Sequence, residues 1–261
     1  LGSVIAIANQ KGGVGKTTTA VHVGAYLGLV APVLLVDCDP QANATSWLGQ
    51  DPREVAPSVY EALLGETPLA DVVRPTGEQG LWLAPASYGL AGAQVELVDA
   101  PDRDLRLREA LAPLRDRYEL VLLDCPPSLG LLTLNALAAA DALLVPVQCE
   151  YLALEGLGQL LASVERVRER LNPHLEVLGL LLTMADARTN LSAQVQTEVR
   201  EHFPELTFAS VIPRAVRLSE APSHGQSVLR YDPTSRGAAA YAALADELVG
   251  RGYGAPAGGR A

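Results

Sequence analysis

The chain alternates runs that are apolar at every position with longer stretches whose apolar residues recur every three or four positions. Val4-Ile5-Ala6-Ile7-Ala8, Val33-Leu34-Leu35-Val36, Leu120-Val121-Leu122-Leu123 and Leu143-Leu144-Val145-Pro146-Val147 are runs of the first kind. Unbroken apolar runs of this length predict strands covered on both faces, as in a parallel sheet. Residues 81–84, 177–183 and 210–212 predict three more. Helices are predicted over 16–29, 58–64, 104–117, 155–171, 191–202 and 234–249. The third is a surface helix, with a solvated charged face opposite Leu107, Leu111 and Leu114. The pattern between 42 and 102 is weak, and 88–93 reads as a connection. Strand–helix alternation from end to end predicts one α/β domain over 1–250, a mostly parallel, doubly wound sheet with helices on both faces. The Gly-, Ala- and Pro-rich stretch 251–261 is expected to be a disordered tail.

Candidate chemistry collects where the predicted strands end. Asn9-Gln10-Lys11-Gly12-Gly13-Val14-Gly15-Lys16-Thr17-Thr18 follows the first strand and opens the first helix. In that context successive backbone N–H groups cup an anion, and the helix N-terminus adds partial positive charge. Lys16 is then placed to reach a β- or γ-phosphate, and the Thr17 hydroxyl to ligate Mg²⁺. The spacing departs from G-x-x-x-x-G-K-[ST] in one place: Gln10 stands where the first glycine belongs, and an extra lysine, Lys11, follows it. The second strand ends in Asp37-Cys38-Asp39-Pro40-Gln41. Asp39 is a candidate to orient or deprotonate an attacking water, and Asp37 to touch a Mg²⁺ shell. The competing reading has Asp37 capping a helix or turn and Asp39 opening an Asp-Pro turn. Leu120–Leu123 runs into Asp124-Cys125-Pro126-Pro127, the pattern of an acid that holds a water on Mg²⁺ beside a phosphate loop.

Composition adds weight to the loop. Of 20 basic residues only Lys11 and Lys16 are lysines. A chain that uses arginine for every other positive charge keeps a compact ammonium at these two places, which a planar guanidinium does not imitate. The formal charge of −10 argues against wholesale coating of nucleic acid. Residues 206–236 nevertheless carry Arg214, Arg217, Arg230 and Arg236 against Glu220 and Asp232, a local net +2. Those arginines either face a polyanion or pair with nearby acids. Three scattered cysteines suit neither a disulfide framework nor a zinc site, and point to a reducing cytoplasm. No apolar run approaches the roughly 18 residues that span a bilayer.

Lys11-Gly12-Gly13-Val14-Gly15-Lys16-Thr17-Thr18, Asp37-Cys38-Asp39-Pro40-Gln41, Asp124-Cys125-Pro126-Pro127 and the stretch Ile212-Pro213-Arg214-Ala215-Val216-Arg217-Leu218-Ser219-Glu220-Ala221-Pro222-Ser223 resemble the ParA/Soj family of chromosome and plasmid partition ATPases. The resemblance implies a P-loop NTPase fold of the deviant Walker A type, with Mg²⁺ as cofactor and ATP as substrate. It also implies a homodimer that forms on ATP binding and sandwiches two nucleotides. Lys11 matches the family's signature lysine, which reaches across to the nucleotide of the partner subunit. Asp39 matches the residue needed for hydrolysis, Lys16 and Thr17 the phosphate and Mg²⁺ contacts, and Asp124 the Walker B acid. Met184 and Pro213 match positions flanking the adenine, with Arg214 beside them. Arg188 and Arg217 match basic residues through which the ATP-bound dimer binds double-stranded DNA without sequence preference. Arg214 and Arg230 join them as candidates. The family usually has asparagine where this chain has Ala215.

The implied partner is a ParB-like (Spo0J-like) centromere-binding protein that stimulates hydrolysis. The implied location is the cytoplasm, on the nucleoid, with no membrane involved. A MinD-like membrane-associated ATPase shares the loop but ends in a basic amphipathic helix, which Gly250-Arg251-Gly252-Tyr253-Gly254-Ala255-Pro256 cannot form. An iron–sulfur reductase like the nitrogenase iron protein needs two cysteines at a dimer axis. Cys125 and Cys149 read instead as buried small hydrophobes.

Overall fold

The seven predicted strands all form, as β1 (Ser3–Ile7), β2 (Val33–Asp37), β4 (Leu81–Ala84), β5 (Leu120–Asp124), β6 (Ala142–Gln148), β7 (Glu176–Ala185) and β8 (Thr207–Pro213), and Arg74–Pro75 adds a short β3. The structure, a computed structural model, describes residues 2–150 and 153–254. Among these the strands make one sheet in the order β3-β4-β2-β5-β1-β6-β7-β8. It is parallel throughout except where β3 meets β4.

The unbroken apolar runs fill two core layers at once. Val4, Ala6, Leu34, Val36, Val121 and Leu123 enter one layer. Ile5, Ile7, Val33, Leu35, Leu120 and Leu122 enter the other. Helices Val59–Leu64, Leu90–Glu96, Arg106–Leu111, Leu131–Ala139, Ala153–Arg170 and Asn190–His202 cover the first, through residues such as Leu63, Leu90, Leu107 and Val195. Lys16–Gly28 and Arg236–Gly250 cover the second, through Val23, Leu27, Tyr241 and Leu244. This is the doubly wound arrangement expected, and it leaves the C-terminal edge of the sheet open for ligands.

Three local expectations change. The helix expected over 104–117 is Arg106–Leu111 followed by a 3₁₀ turn, Ala112–Leu114, because Pro113 has no N–H with which to continue the ladder. The connection expected over 88–93 contains a helix, Leu90–Glu96, whose exposed side mixes Ala91 and Val95 with Gln94 and Glu96, which blurs the amphipathic contrast of so short an element. The tail begins later than residue 251. Arg251 donates to the Leu178 carbonyl at 2.9 Å and lays its guanidinium over Phe208 at 4.1 Å, while Tyr253 packs on the second layer. Residues 255–261, the rest of the expected disordered tail, lie outside the described residues.

Helix Lys16–Gly28 carries a buried titratable group. His22 sits between Trp47 and Tyr241, with ring centroids 5.2 and 4.6 Å away, and its Nδ1 accepts the Val228 N–H. Burial holds its pKa down, to about 3. The unfolded chain takes up this proton near the ordinary value of 6.5, so the unfolded state binds more protons between pH 6.5 and 3. The stability this group supports is therefore complete above pH 6.5 and declines toward pH 3, by up to about 1.4 kcal/mol per pH unit. Urea unfolding at pH 7, 6, 5 and 4 checks this, with a shallower acid decline expected for His22→Phe.

Candidate nucleotide-binding site

β1 delivers Asn9 to the C-terminal edge of the sheet, and Asn9 pins the turn that follows. Its Nδ2 donates to the Pro146 carbonyl at 2.7 Å, and its Oδ1 accepts the Lys11 N–H at 3.0 Å. The Thr183 hydroxyl on β7 donates to the Val14 carbonyl at 2.9 Å, fixing the loop from the other side. Gly13 and Gly15 have φ of +73° and +92°, which only glycine adopts without strain. Gly12 needs no such freedom, and a Cβ built on it would meet no protein atom within 4 Å. The space beside it belongs to the cavity, and so to whatever the loop cradles.

That cavity holds about 580 Å³ and is bounded by the loop, Thr17, Thr18, Asp39 and Pro127. Met184 lines it and also a second cavity of about 250 Å³ that reaches Pro213, Arg214 and Ala215. Met184 holds φ at +52°, a conformation costly for a side chain of its size and typical of functional turns. Its sulfur lies 3.4 Å from Gln148 Nε2. The larger cavity suits a polyphosphate, and the smaller, more enclosed one a flat apolar group.

The floor of the larger cavity is electrostatically tense. Lys16 is 7% exposed, and its Nζ reaches the Lys11 carbonyl at 3.4 Å. Burial lowers its pKa, while Asp124 and then Asp39 draw it back up. β2 and β5 pair in register, with Asp37 opposite Asp124, so two strand-end carboxylates stand side by side. Their surroundings differ sharply. Asp37 Oδ1 accepts the Asp39 N–H at 3.1 Å, and Oδ2 accepts both the N–H and the hydroxyl of Thr45, at 2.9 and 2.7 Å. Asp37 thus caps helix Asn43–Trp47, the second of its two sequence readings. Burial raises its pKa to about 6, and the Thr45 bonds oppose that rise.

Asp124 is fully buried, and neither of its oxygens has a partner in full hydrogen-bond geometry, although the Thr17 hydroxyl is near enough to favour its charged form. Burial first, and Asp37 second, push its pKa well up, with the Thr17 hydroxyl and Lys16 among the influences acting the other way. An orphaned buried carboxylate is expensive unless a cation or a cation-bound water satisfies it. Among the described residues no three His, Cys, Asp or Glu side chains converge on one point. The donor set of Thr17 and Asp124 therefore fits Mg²⁺, which takes most of its ligands from water and phosphate. Asp39 is 6% exposed and lines the cavity, with one oxygen accepting the Gln41 N–H at 3.0 Å. Its turn role and its place in the cavity are compatible.

The sequence pattern missed part of this wall. Gln41, Asn43, Ser46 and Trp47 line the cavity, as do Pro222 and Ser223. Helix Asn43–Trp47 has five residues, too few to show a period, and follows Ala42 at φ +52°, a turn that alanine does not signal. All three cysteines are buried and free, as small hydrophobes.

Lys11 and the candidate DNA arginines lie outside the cavity floor, and each cation has a counter-charge. Lys11 Nζ is 3.5 Å from Glu150, whose other oxygen is 3.0 Å from Arg214 Nη2. Arg188 grips Asp186 through two bonds of 2.9 and 2.7 Å, holding that carboxyl well below its usual range. Arg217 meets Glu220 at 2.8 Å and Asp232 at 3.1 Å. Arg230 donates to the Gly77 carbonyl at 2.6 Å, with Glu78 at 4.0 Å. Pairing with acids, one of the two sequence readings, is thus realised at Arg214 and Arg217, and at Arg230 only at the 4.0 Å limit. Exposed pairs of this kind contribute about 0–1 kcal/mol, so they exchange readily for other anions.

Comparisons with known proteins agree with this geometry. Residues 2–177 match the profile of an AAA domain family. The chain is 52% identical over 253 residues to the sporulation initiation inhibitor protein Soj of Bacillus subtilis, covering 97% of this chain and 100% of that one. It is 55% identical over 249 residues to the chromosome-partitioning ATPase Soj of Thermus thermophilus, covering 95% of each. Among solved structures it resembles one from Mycobacterium smegmatis described as cobyrinic acid a,c-diamide synthase with bound ADP and magnesium, at 41% identity and a TM-score of 0.85 over 98% of each chain. It also resembles a substituted form of Cyanothece McdA in complex with ATP, at 25% identity and a TM-score of 0.85 over 97% of each chain. With its altered first glycine position, its paired lysines and half its residues shared with Soj proteins along nearly their whole length, this chain belongs to the ParA/Soj family of partitioning ATPases with a deviant Walker A loop.

Proposed function

We propose that the chain is a Mg²⁺-dependent ATPase that works as a dimeric switch in chromosome or plasmid segregation. Closed on ATP, it binds double-stranded DNA without sequence preference, and a ParB-like partner at the centromere stimulates hydrolysis and release on the nucleoid. The observation that carries this is the loop 11–18 standing over the orphaned carboxylate of Asp124, with Asp39 at the cavity wall. Loop N–H groups and Lys16 hold the phosphates, and Thr17 and Asp124 are the groups that would hold the cation. Bound there, Mg²⁺ supplies neutralisation of charge on the β- and γ-phosphates. Asp39 orients the water with the oxygen not bonded to Gln41. Met184 and Pro213 flank the base. Lys11 leaves Glu150 to reach the nucleotide of a second copy.

The DNA surface we assign consists of Arg188, Arg214, Arg217 and Arg230, each exchanging a local acid for a backbone phosphate. So few phosphate contacts per subunit make binding weak, salt-sensitive and dependent on dimerisation. DNA co-sedimentation with and without ATP tests this. ATP-dependent binding is expected, and Arg217→Glu should weaken it by about tenfold while flattening its salt dependence. Undiminished binding by that variant would remove Arg217 from the interface.

The membrane-associated alternative has less behind it. The solved Pyrococcus MinD structure shares 26% identity with this chain, against 55% for the Thermus Soj protein.

A further inference from the structure

Helix Leu90–Glu96 and its flanks turn apolar residues both inward and outward. Leu90, Ala93 and Leu97 face the core. Tyr88, Ala91, Val95 and Val98 stand on the outside, and three of them are 52%, 74% and 51% exposed, for Tyr88, Val95 and Val98. Nothing among the described residues covers this stripe. Ala91 and Val95 lie one turn apart on the helix, and Tyr88 and Val98 extend the stripe from the turns at its two ends.

The rim of the stripe is acidic. Glu96, Asp99 and Asp102 are all exposed, and no basic residue occurs between Tyr88 and Asp102. Glu96 accepts the Tyr60 hydroxyl at 2.9 Å and raises its pKa, with Glu66 and Glu61 adding negative charge on the same side. The nearest following base, Arg103, donates to the Val98 carbonyl at the end of the stripe. Beside the stripe, through the exposed Gln94, the helix touches the loop after Asp124. Gln94 lies so near Gly130 that a Cβ there would sit 2.9 Å from the Gln94 amide oxygen, and Pro127 of the same loop lines the nucleotide cavity.

We propose that the stripe Tyr88–Ala91–Val95–Val98 is the docking site for a cationic amphipathic helix of a protein partner, whose apolar seam packs on the stripe while its basic flanks meet the acidic rim. A second copy of this chain fits poorly, because a twofold contact would set rim acids against rim acids. The contact from Gln94 to the loop at 126–130 gives an occupied stripe a direct route to the nucleotide cavity. That coupling rests on the ATPase reading, whereas docking does not.

Fluorescence anisotropy with the full chain tests it, using a labelled 18-residue peptide with leucines along one helical face and lysines on the other, against a scrambled isomer of identical charge. The helical peptide is expected to bind at least about tenfold tighter than the isomer. Val95→Asp should weaken it by about tenfold even though it adds negative charge, and Val95→Leu should restore it. Equal affinity of the two peptides, or unchanged or tighter binding by Val95→Asp, would reduce the effect to charge alone and overturn the proposal. So would loss of the ATP-induced dimer in Val95→Asp by light scattering, which would make a second copy the occupant. A chain that fails to bind ATP yet binds the peptide at the stripe would sink the ATPase reading and leave the docking site standing.

Discussion

Asp39→Ala is expected to slow ATP turnover by about 10²–10⁴-fold while the protein still dimerises on ATP and binds DNA. The carboxylate lines the cavity and is joined to its own turn by a single bond to Gln41. The loop is anchored elsewhere, by Asn9 on Pro146 and by Thr183 on Val14. Lys16 loses one of the two carboxylates that support its charge but keeps Asp124, so the phosphate site survives the change. What disappears is the group that positions water, and with it the step that opens the dimer. Phosphate release measured beside a gel shift on the same sample separates the two effects. A variant that stays monomeric at saturating ATP would show that Asp39 builds the closed state instead of ending it.

The two lysines are expected to fail in different ways. Lys16→Ala removes a buried ammonium lying over Asp124, where charge-assisted bonds to phosphate contribute about 1.5–3 kcal/mol each. Nucleotide affinity should therefore fall by roughly 10- to 150-fold. The Lys11 side chain is about half exposed, and its ammonium is held among the described residues by the 3.5 Å contact with Glu150. Such a contact costs little to break. Lys11→Ala should leave nucleotide affinity of the monomer within about twofold of the parent, a change of under ~0.5 kcal/mol, and abolish ATP-dependent dimerisation and DNA binding. Calorimetric titration at low protein concentration and light scattering at high concentration report the two properties separately. Equal loss of monomer affinity in both variants would dissolve this division of labour.

Much of the fold was legible because its strands are buried on both faces. A strand such as Leu120–Asp124 has nowhere to place a polar residue before its end, so its apolar run and its terminal acid both show in the chain. The phosphate loop was legible for a different reason: its parts are contiguous, and turn, cradle and helix start are written in ten successive residues. The five-residue helix Asn43–Trp47 was not legible, since its place depends on Thr45 bonding to Asp37. Helix Leu90–Glu96 was hidden by its shortness and by the exposed Ala91 and Val95 that blur its contrast, the same residues that make its outer stripe a candidate for a partner.

By itself, then, the sequence determined the parallel α/β architecture, the phosphate loop with its two lysines, and the acids that end β2 and β5. Each of those rests on residues close together in the chain. Only the tertiary structure decided how differently the two acids are surrounded, because the in-register pairing of β2 with β5 sets Asp37 beside Asp124 and gives Thr45 to the first alone. It also decided the state of the cations. Glu150 comes from a distant strand end to hold both Lys11 and Arg214, and Asp232 reaches Arg217 from beyond its own helix, whereas Arg188 and Arg217 also pair with their chain neighbours Asp186 and Glu220. Charge counted along a chain gives the supply of cations, whereas side-chain proximity after folding decides which of them already have a partner.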